Sequence, residues 1–359
     1  MPGIVAHHVF GLDAYRDLTP IIGESETERQ AFLLGNLGPD PLFYLEATPA
    51  PQEVRSIART MHNAKTNDLL RAMHDHFIVV DGRRGSQDEP APNSSNSDSK
   101  DNENGEQQGV PSSSLNDKVS QDGHPVSYDE LVAARKAYAL GFLCHYLLDS
   151  MVHPLVYAQQ HAICKQLVSG LSETWANRVV HATIETTIDE HLLTIRFGST
   201  AQKTPPHKFA LECPARPLLE ISRAYRGAIM QAYGVNLVEN AFVTAVAFNR
   251  VGQMSLDSRS AGLRRHFDYL SHVGKLSPYL RALSFDARSL PATAFTNNDH
   301  VPWKHPFSEG EVVSSSFSDL YNQALFSAFE VLPVYAMEHL GQTFCDELTR
   351  GINFLGKPY

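Results

Sequence analysis

The chain has 359 residues, 42% of them hydrophobic, which allows one large domain or two smaller ones around a substantial core. Its formal charge of −10 argues against a nucleic-acid-binding face, which is usually basic. The four cysteines, Cys144, Cys164, Cys213 and Cys345, form no Cys-x-x-Cys pair and read as buried reduced thiols rather than a disulfide framework.

Taken from the start, Met1-Pro-Gly-Ile-Val-Ala-His7-His8 lacks the basic residues and apolar stretch of a signal peptide. No run of eighteen apolar residues marks a membrane span, so a soluble cytoplasmic protein is the expectation. Apolar residues spaced by three and four predict helices over 26–37 and 51–79. The next segment, 86–125, has eight acidic residues, two lysines and no aromatic residue. It cannot bury enough apolar surface to offset chain entropy and reads as a disordered insertion, which costs little stability at a surface.

Helical spacing resumes over 128–152, 154–169, 172–197, 215–233 and 236–267, with Ser127 and Asp129-Glu130 supplying an N-cap and an acidic first turn. Residues 284–309, rich in Pro, Asn and Asp, read as a long ordered loop before a last helix over 317–348. Alternating β patterns are scarce, and the expected class is all-α. The division expected is a core over 1–200 with a C-terminal helical extension over 201–359 packed on it.

Tyr138-Ala-Leu-Gly-Phe-Leu-Cys-His145-Tyr-Leu-Leu-Asp149-Ser-Met-Val-His153-Pro154 is the most specific stretch. His145, Asp149 and His153 stand four apart and share one face of a helix that is apolar on nearly every other side. A buried carboxylate needs a cation or a hydrogen-bond network. No Lys or Arg lies between Lys136 and Lys165 to supply that charge locally. Two readings stand open on this helix alone: a metal ion using all three side chains, or a core histidine satisfied by a buried Asp.

Other motifs are weaker singly. His181-Ala-Thr-Ile-Glu185 repeats the four-residue spacing and can aim two ligands at one ion, though such pairs also occur on solvated faces. Asp40, between Pro39 and Pro41, is either an Asx cap at a turn or a rigidly held carboxylate beside a metal or water. His62 could be a surface histidine, and His7 and His8 precede Val9-Phe10-Gly11 near the start.

In order, Ala6-His7-x-x-Phe10-Gly11, Gly38-Pro39-Asp40, Met61-His62, His145-x-x-x-Asp149-x-x-x-His153-Pro154 and His181-x-x-x-Glu185 resemble the zinc-dependent phospholipase C family, itself related in fold to single-strand-specific zinc nucleases. The resemblance spans roughly residues 5–190 without the insertion. Trp303-Lys-His-Pro306 and Ser316-Phe317-x-x-Leu320-Tyr321 are similar to the tail of bacterial members.

The resemblance implies a mostly helical fold with two to three zinc ions. His62, His145 and Asp149 would hold the first, with Asp40 close by. The second would lie on His153, His181 and Glu185. The third would use His7, Asp149 as a bridge and the amino terminus. The start carries no tryptophan, a departure from secreted relatives, so a Pro2 amine, His8 or no third site at all are the alternatives. Neutral imidazoles and carboxylates without thiolate suit a catalytic zinc.

The activity expected is phosphodiester hydrolysis, of a phospholipid or a related ester, with Asp40 orienting or deprotonating the attacking water. A nuclease or nucleotidase using the same ions, or a non-catalytic metal-binding protein, are the alternatives. No long nucleic acid is expected as partner, and at most a transient contact with a membrane surface. Tyr44, Phe77, Tyr146 and Tyr157 are the aromatic residues considered for a head-group pocket.

Overall fold

The computed structural model describes residues 3–79, 126–167, 172–201, 203–256, 279, 282–283 and 295–359. The insertion predicted over 86–125 lies outside them. The described residues form an all-α fold: α1 (Ile4–Ile22), α2 (Glu26–Gly35), a 3₁₀ helix (Asp40–Ala47), α3 (Gln52–Arg55), α4 (Ile57–Asn63), α5 (Thr66–Phe77), α6 (Tyr128–Leu167), α7 (Glu173–Phe197), α8 (Ala215–Tyr233), α9 (Ala241–Ser255), α10 (Phe317–Tyr335) and α11 (Phe344–Thr349). Within the segment expected to be loop, 284–309, the described part carries strand β1 (Trp303–Lys304), paired antiparallel with β2 (Val312–Val313).

The axis of the fold is α6, with α2, α7 and α10 packed along it and α1 lying against α2, α6, α7 and α10. Its window from Tyr128 to Cys164 is apolar enough to cross a membrane by composition, but 83% of the most apolar stretch is buried within the protein. That burial accounts for its lack of a polar face. The α2–α6 crossing depends on two glycines. A Cβ on Gly35 would stand 2.2 Å from the Tyr138 carbonyl oxygen, and one on Gly141 2.1 Å from that of Phe32. Only bare α-carbons let these backbones approach so closely.

Local chemistry sets several helix ends. Ser25 and Glu28 form a reciprocal capping box at α2, and Ser316 and Asp319 form one at α10. Ser127 accepts the Glu130 N–H, as its N-cap assignment requires, and the Glu130 carboxylate accepts the Ser127 N–H.

Three boundaries differ from the periodicity. The helix expected over 51–79 is broken into α3, α4 and α5, with Lys65 in the left-handed region at φ 56°. The helices expected either side of His153 are one, because α6 runs through Pro154. An interior proline removes one helix hydrogen bond and crowds the preceding turn, and the helix continues where packing outweighs that cost. Finally, α1 was missing from the expected elements: it is buried on most sides, so no amphipathic stripe betrays it.

Core residues from both sides of residue 200 belong to one hydrophobic cluster. Phe354, near the end of the described chain, is fully buried against Phe142, Tyr146 and the rings of His62 and His145. The C-terminal segment therefore walls the region where the polar residues of α6 converge.

Candidate metal centre

The row on α6 is buried: His145 is wholly inaccessible, and Asp149 and His153 are nearly so. Asp149 divides its two oxygens. Oδ1 lies 3.1 Å from His7 Nε2 and 3.6 Å from His153 Nδ1. Oδ2 lies 3.1 Å from His145 Nε2 and 3.9 Å from His62 Nε2. One carboxylate thus faces ligands from α1, α4 and two turns of its own helix.

Asp40 reaches the same place by a turn. Gly38 adopts φ +52°, and a Cβ there would stand 2.4 Å from the His145 ring. The left-handed turn lies flat on that imidazole, and its carbonyl accepts hydrogen bonds from both Tyr138 and Tyr225, each at 3.2 Å. The chain then enters the 3₁₀ helix with Asp40 at its first position, 3.2 Å from His62 Nε2. Asp40 is therefore more than a turn cap.

On α7, Glu185 stands 3.0 Å from His181 Nε2 and 3.5 Å from His153 Nε2. The structure brings the side chains into three groups able to hold a metal ion: Asp40, His62 and His145; His7, His145 and Asp149; and His153, His181 and Glu185. His145 appears in two of them, yet its single inward nitrogen can serve only one ion. A small cavity of about 30 Å³, lined by His7, Asp149, His153 and Glu185 among others, lies between α1, α6 and α7.

The outward faces of the histidines decide what the inward faces can do. His62 Nδ1 donates to the Ala58 carbonyl at 2.7 Å, and His145 Nδ1 to that of Asn36 at 3.1 Å. His153 Nδ1 donates to the Phe354 carbonyl at 2.9 Å and to that of Asp149 at 3.1 Å. His181 Nδ1 donates to the Gln160 amide oxygen at 2.9 Å. A carbonyl can only accept, so in the neutral ring each Nδ1 carries the proton and each Nε2 presents a lone pair inward. This is the outer-sphere arrangement that orients imidazoles toward a metal.

Buried polar atoms are left over in the same place. His62 Nε2, His145 Nε2, Asp40 Oδ1 and Asp149 Oδ2 make no well-formed hydrogen bond although buried. Leaving such atoms unsatisfied costs about 1–3 kcal/mol each. Among the described residues, neither Asp40 nor Asp149 pairs with a Lys or Arg. A cation bound between them would answer both deficits.

The electrostatics show the same pull. Burial raises the Asp149 carboxyl, but His153, His145 and His7 outweigh it and hold the group well below the usual range. Burial disfavours a charged His153, yet Asp149 and Glu185 carry it up to about 9. Glu185 is likewise lowered against its own burial by His181 and His153. In the absence of a metal, a proton on His153 supplies part of the positive charge that the carboxylates attract.

One residue with a clear structural task escaped the sequence reading. Asp189, one turn after Glu185 and almost fully buried, accepts the backbone N–H groups of Val5 at 3.0 Å and Ala6 at 2.9 Å. It therefore caps α1 from α7 and fixes the helix turn that carries His7. Burial raises its carboxyl to about 8, against the lowering effect of those two amides. Its four-residue spacing from Glu185 was visible, but its partners are some 180 residues away in sequence.

His8 does not join these groups. It points to Phe209, with ring centroids 4.7 Å apart, and burial and then Arg29 lower its pKa to about 4. The alternative that assigned it to a third site finds no support in this placement. The Pro2 amine lies outside the described residues. Of the aromatic residues considered for a pocket, Tyr157 borders His181 at 5.1 Å, whereas Phe77 and Tyr146 are core residues and Tyr44 packs under α9 at Gly252. Within the tail motif, Ser316 caps α10, and the Tyr321 hydroxyl donates to Asp13 on α1 at 2.7 Å.

Compared with family models, curated proteins and solved structures, the chain matches none.

Proposed function

We propose that the chain is a zinc-dependent phosphodiester hydrolase resembling phospholipase C, holding two to three zinc ions on His7, Asp40, His62, His145, Asp149, His153, His181 and Glu185. The observation that carries this reading is the set of imidazoles whose Nδ1–H groups are held by oxygens outside, so that their Nε2 atoms converge on buried carboxylates. The donor set of nitrogen and oxygen without thiolate favours a hydrolytic zinc over a structural one. Cys144 lies on the same helix as a buried thiol but belongs to none of the three groups.

Bound there, the ions would neutralise the oxygens of a phosphodiester and lower the pKa of a coordinated water. The residues supply the rest. Asp149, with one oxygen toward each side, sets the spacing between the groups. Asp40, on the rigid Gly38 turn, orients the attacking water and takes its proton. The Gly38 carbonyl, pinned by two phenols, keeps that carboxylate from swinging away.

A phospholipid or related small diester is the preferred substrate, since the acidic chain suits a long nucleic acid poorly. A nuclease or nucleotidase would use the same cluster. A non-catalytic metal-binding role is favoured by one observation: nearly all the ligands are closed off from solvent.

Hydrolysis of bis(4-nitrophenyl) phosphate by the zinc-loaded chain, abolished by chelator and restored by zinc, is the expected result. Stoichiometric zinc without turnover of this diester, of phospholipid vesicles or of single-stranded DNA would assign the fold to metal binding alone.

A further inference from the structure

The polar face of α7 continues beyond its metal ligands. Asp189, Glu185 and His181 follow one another by single turns, and the next position toward the helix start on that face is Arg178. Asp189 sits at the closed end against α1, whereas Arg178 is exposed. His181, at 17% side-chain exposure, is the most accessible of the candidate ligands. The face therefore runs from a sealed anchor, through the metal-competent group, to an open mouth.

A pocket of about 210 Å³ occupies that mouth, lined by Tyr157, Gln160, Asn177, Arg178, His181 and Tyr279. It is smaller than the ~300–1,000 Å³ of pockets for drug-sized ligands, so it suits a compact polar head and not an acyl chain. Its chemistry is one-sided. Arg178 stacks on Trp175 with its guanidinium carbon 5.4 Å from the ring centroid, and it pairs with no carboxylate among the described residues. Gln160 spends its amide oxygen on His181, which leaves its NH₂ group as the donor. Asn177 adds an amide and Tyr157 and Tyr279 add phenols, and among the described residues no Asp or Glu lines the pocket.

We propose that this pocket is the head-group subsite of the hydrolase, and that it selects diesters whose head carries a second anionic group on a hydroxyl-rich frame, with Arg178 as the specificity-determining residue. The inference rests on the phosphodiesterase reading above. A phosphodiester held at His153, His181 and Glu185 would project one arm past His181 into the pocket. An anion on that arm would meet the fork of Arg178, and hydroxyls would meet the amides and phenols. A quaternary ammonium head would meet a like charge instead.

The test uses water-soluble diesters and the full zinc-loaded chain. Glycerophosphoinositol 4-phosphate and glycerophosphocholine are compared as competitors of bis(4-nitrophenyl) phosphate turnover and, by calorimetry, as ligands. The anionic diester should bind at least roughly tenfold more tightly. Arg178→Ala should erase most of that preference, and Arg178→Glu should reverse it, with zinc content unchanged in both. If both diesters compete equally and the Arg178 variants behave as the parent, the subsite is wrong while the phosphodiesterase reading stands. If bis(4-nitrophenyl) phosphate is turned over but neither glycero-diester competes or binds, the subsite fails while the phosphodiesterase reading stands. If the zinc-loaded protein turns over no diester at all, that reading fails and the subsite fails with it.

Discussion

His62, His145, His153 and His181 each commit Nδ1 to an oxygen acceptor, so the residue-scale question is what their Nε2 atoms serve. Asp149 is the hub, with His7 on one oxygen and His145 on the other. Asp149→Ala should therefore lower bound metal by about two equivalents rather than one, read by elemental analysis of the purified variant. A variant that folds and keeps its full complement would remove Asp149 from the centre.

Gly38→Ala tests the turn that presents Asp40. The left-handed φ alone should cost more than about 1 kcal/mol of stability, and the contact with the His145 ring should add to it. Denaturant unfolding measures the loss, and a weakened affinity for metal should accompany it.

His153 provides a pH signature. Its folded pKa, raised to about 9 from 6.5, means that the metal-free fold holds a proton which the unfolded chain releases near 6.5. The stabilising contribution is complete below pH 6.5 and is lost as pH rises through about 9. The melting temperature of chelator-treated protein should show a His153-dependent fall across that window, absent in His153→Gln. Metal binding should correspondingly release protons and tighten as pH rises toward 9.

At the scale of elements, the four-residue spacings on α6 and α7 were legible because helix geometry turns spacing directly into a shared face. What they faced was not. α1 carries His7, yet the polar His7, His8 and Asp13 are buried among its apolar residues and blur the stripe, and its position is fixed by Asp189 from another helix. Asp189→Ala removes that cap and should destabilise the fold by about 1–2 kcal/mol. It should weaken metal binding at the His7 group while His153, His181 and Glu185 keep theirs. Metal titration resolves the two effects, and equal loss at all positions would show a general collapse instead. Continuity was also misjudged: apolar spacing joined α3 to α5 across Lys65, because a left-handed residue leaves that spacing unaltered, and α6 was divided at Pro154, where a proline that ordinarily breaks a helix is tolerated.

Across the whole molecule, the expected core over 1–200 is incomplete without the chain's later segments. Phe354 lies on His62 and His145 and gives its carbonyl to His153, and Phe317 lines the small cavity. Neither contact could be read from sequence, because each joins residues far apart along the chain that only the tertiary fold brings together. Phe354→Ala should cost about 3–5 kcal/mol as a buried aromatic truncation. Because its backbone carbonyl remains, the variant should retain metal more fully than Asp149→Ala does.

The claim on which the account depends is that the inward Nε2 atoms and buried carboxylates hold metal. Elemental analysis of the chain, purified without chelator or affinity metal and dialysed against zinc-free buffer, tests it directly. Two to three zinc ions per chain are expected, removable by chelator with a fall in melting temperature and restored on adding zinc back. A folded chain that contains no zinc and takes up none at micromolar concentration would contradict it.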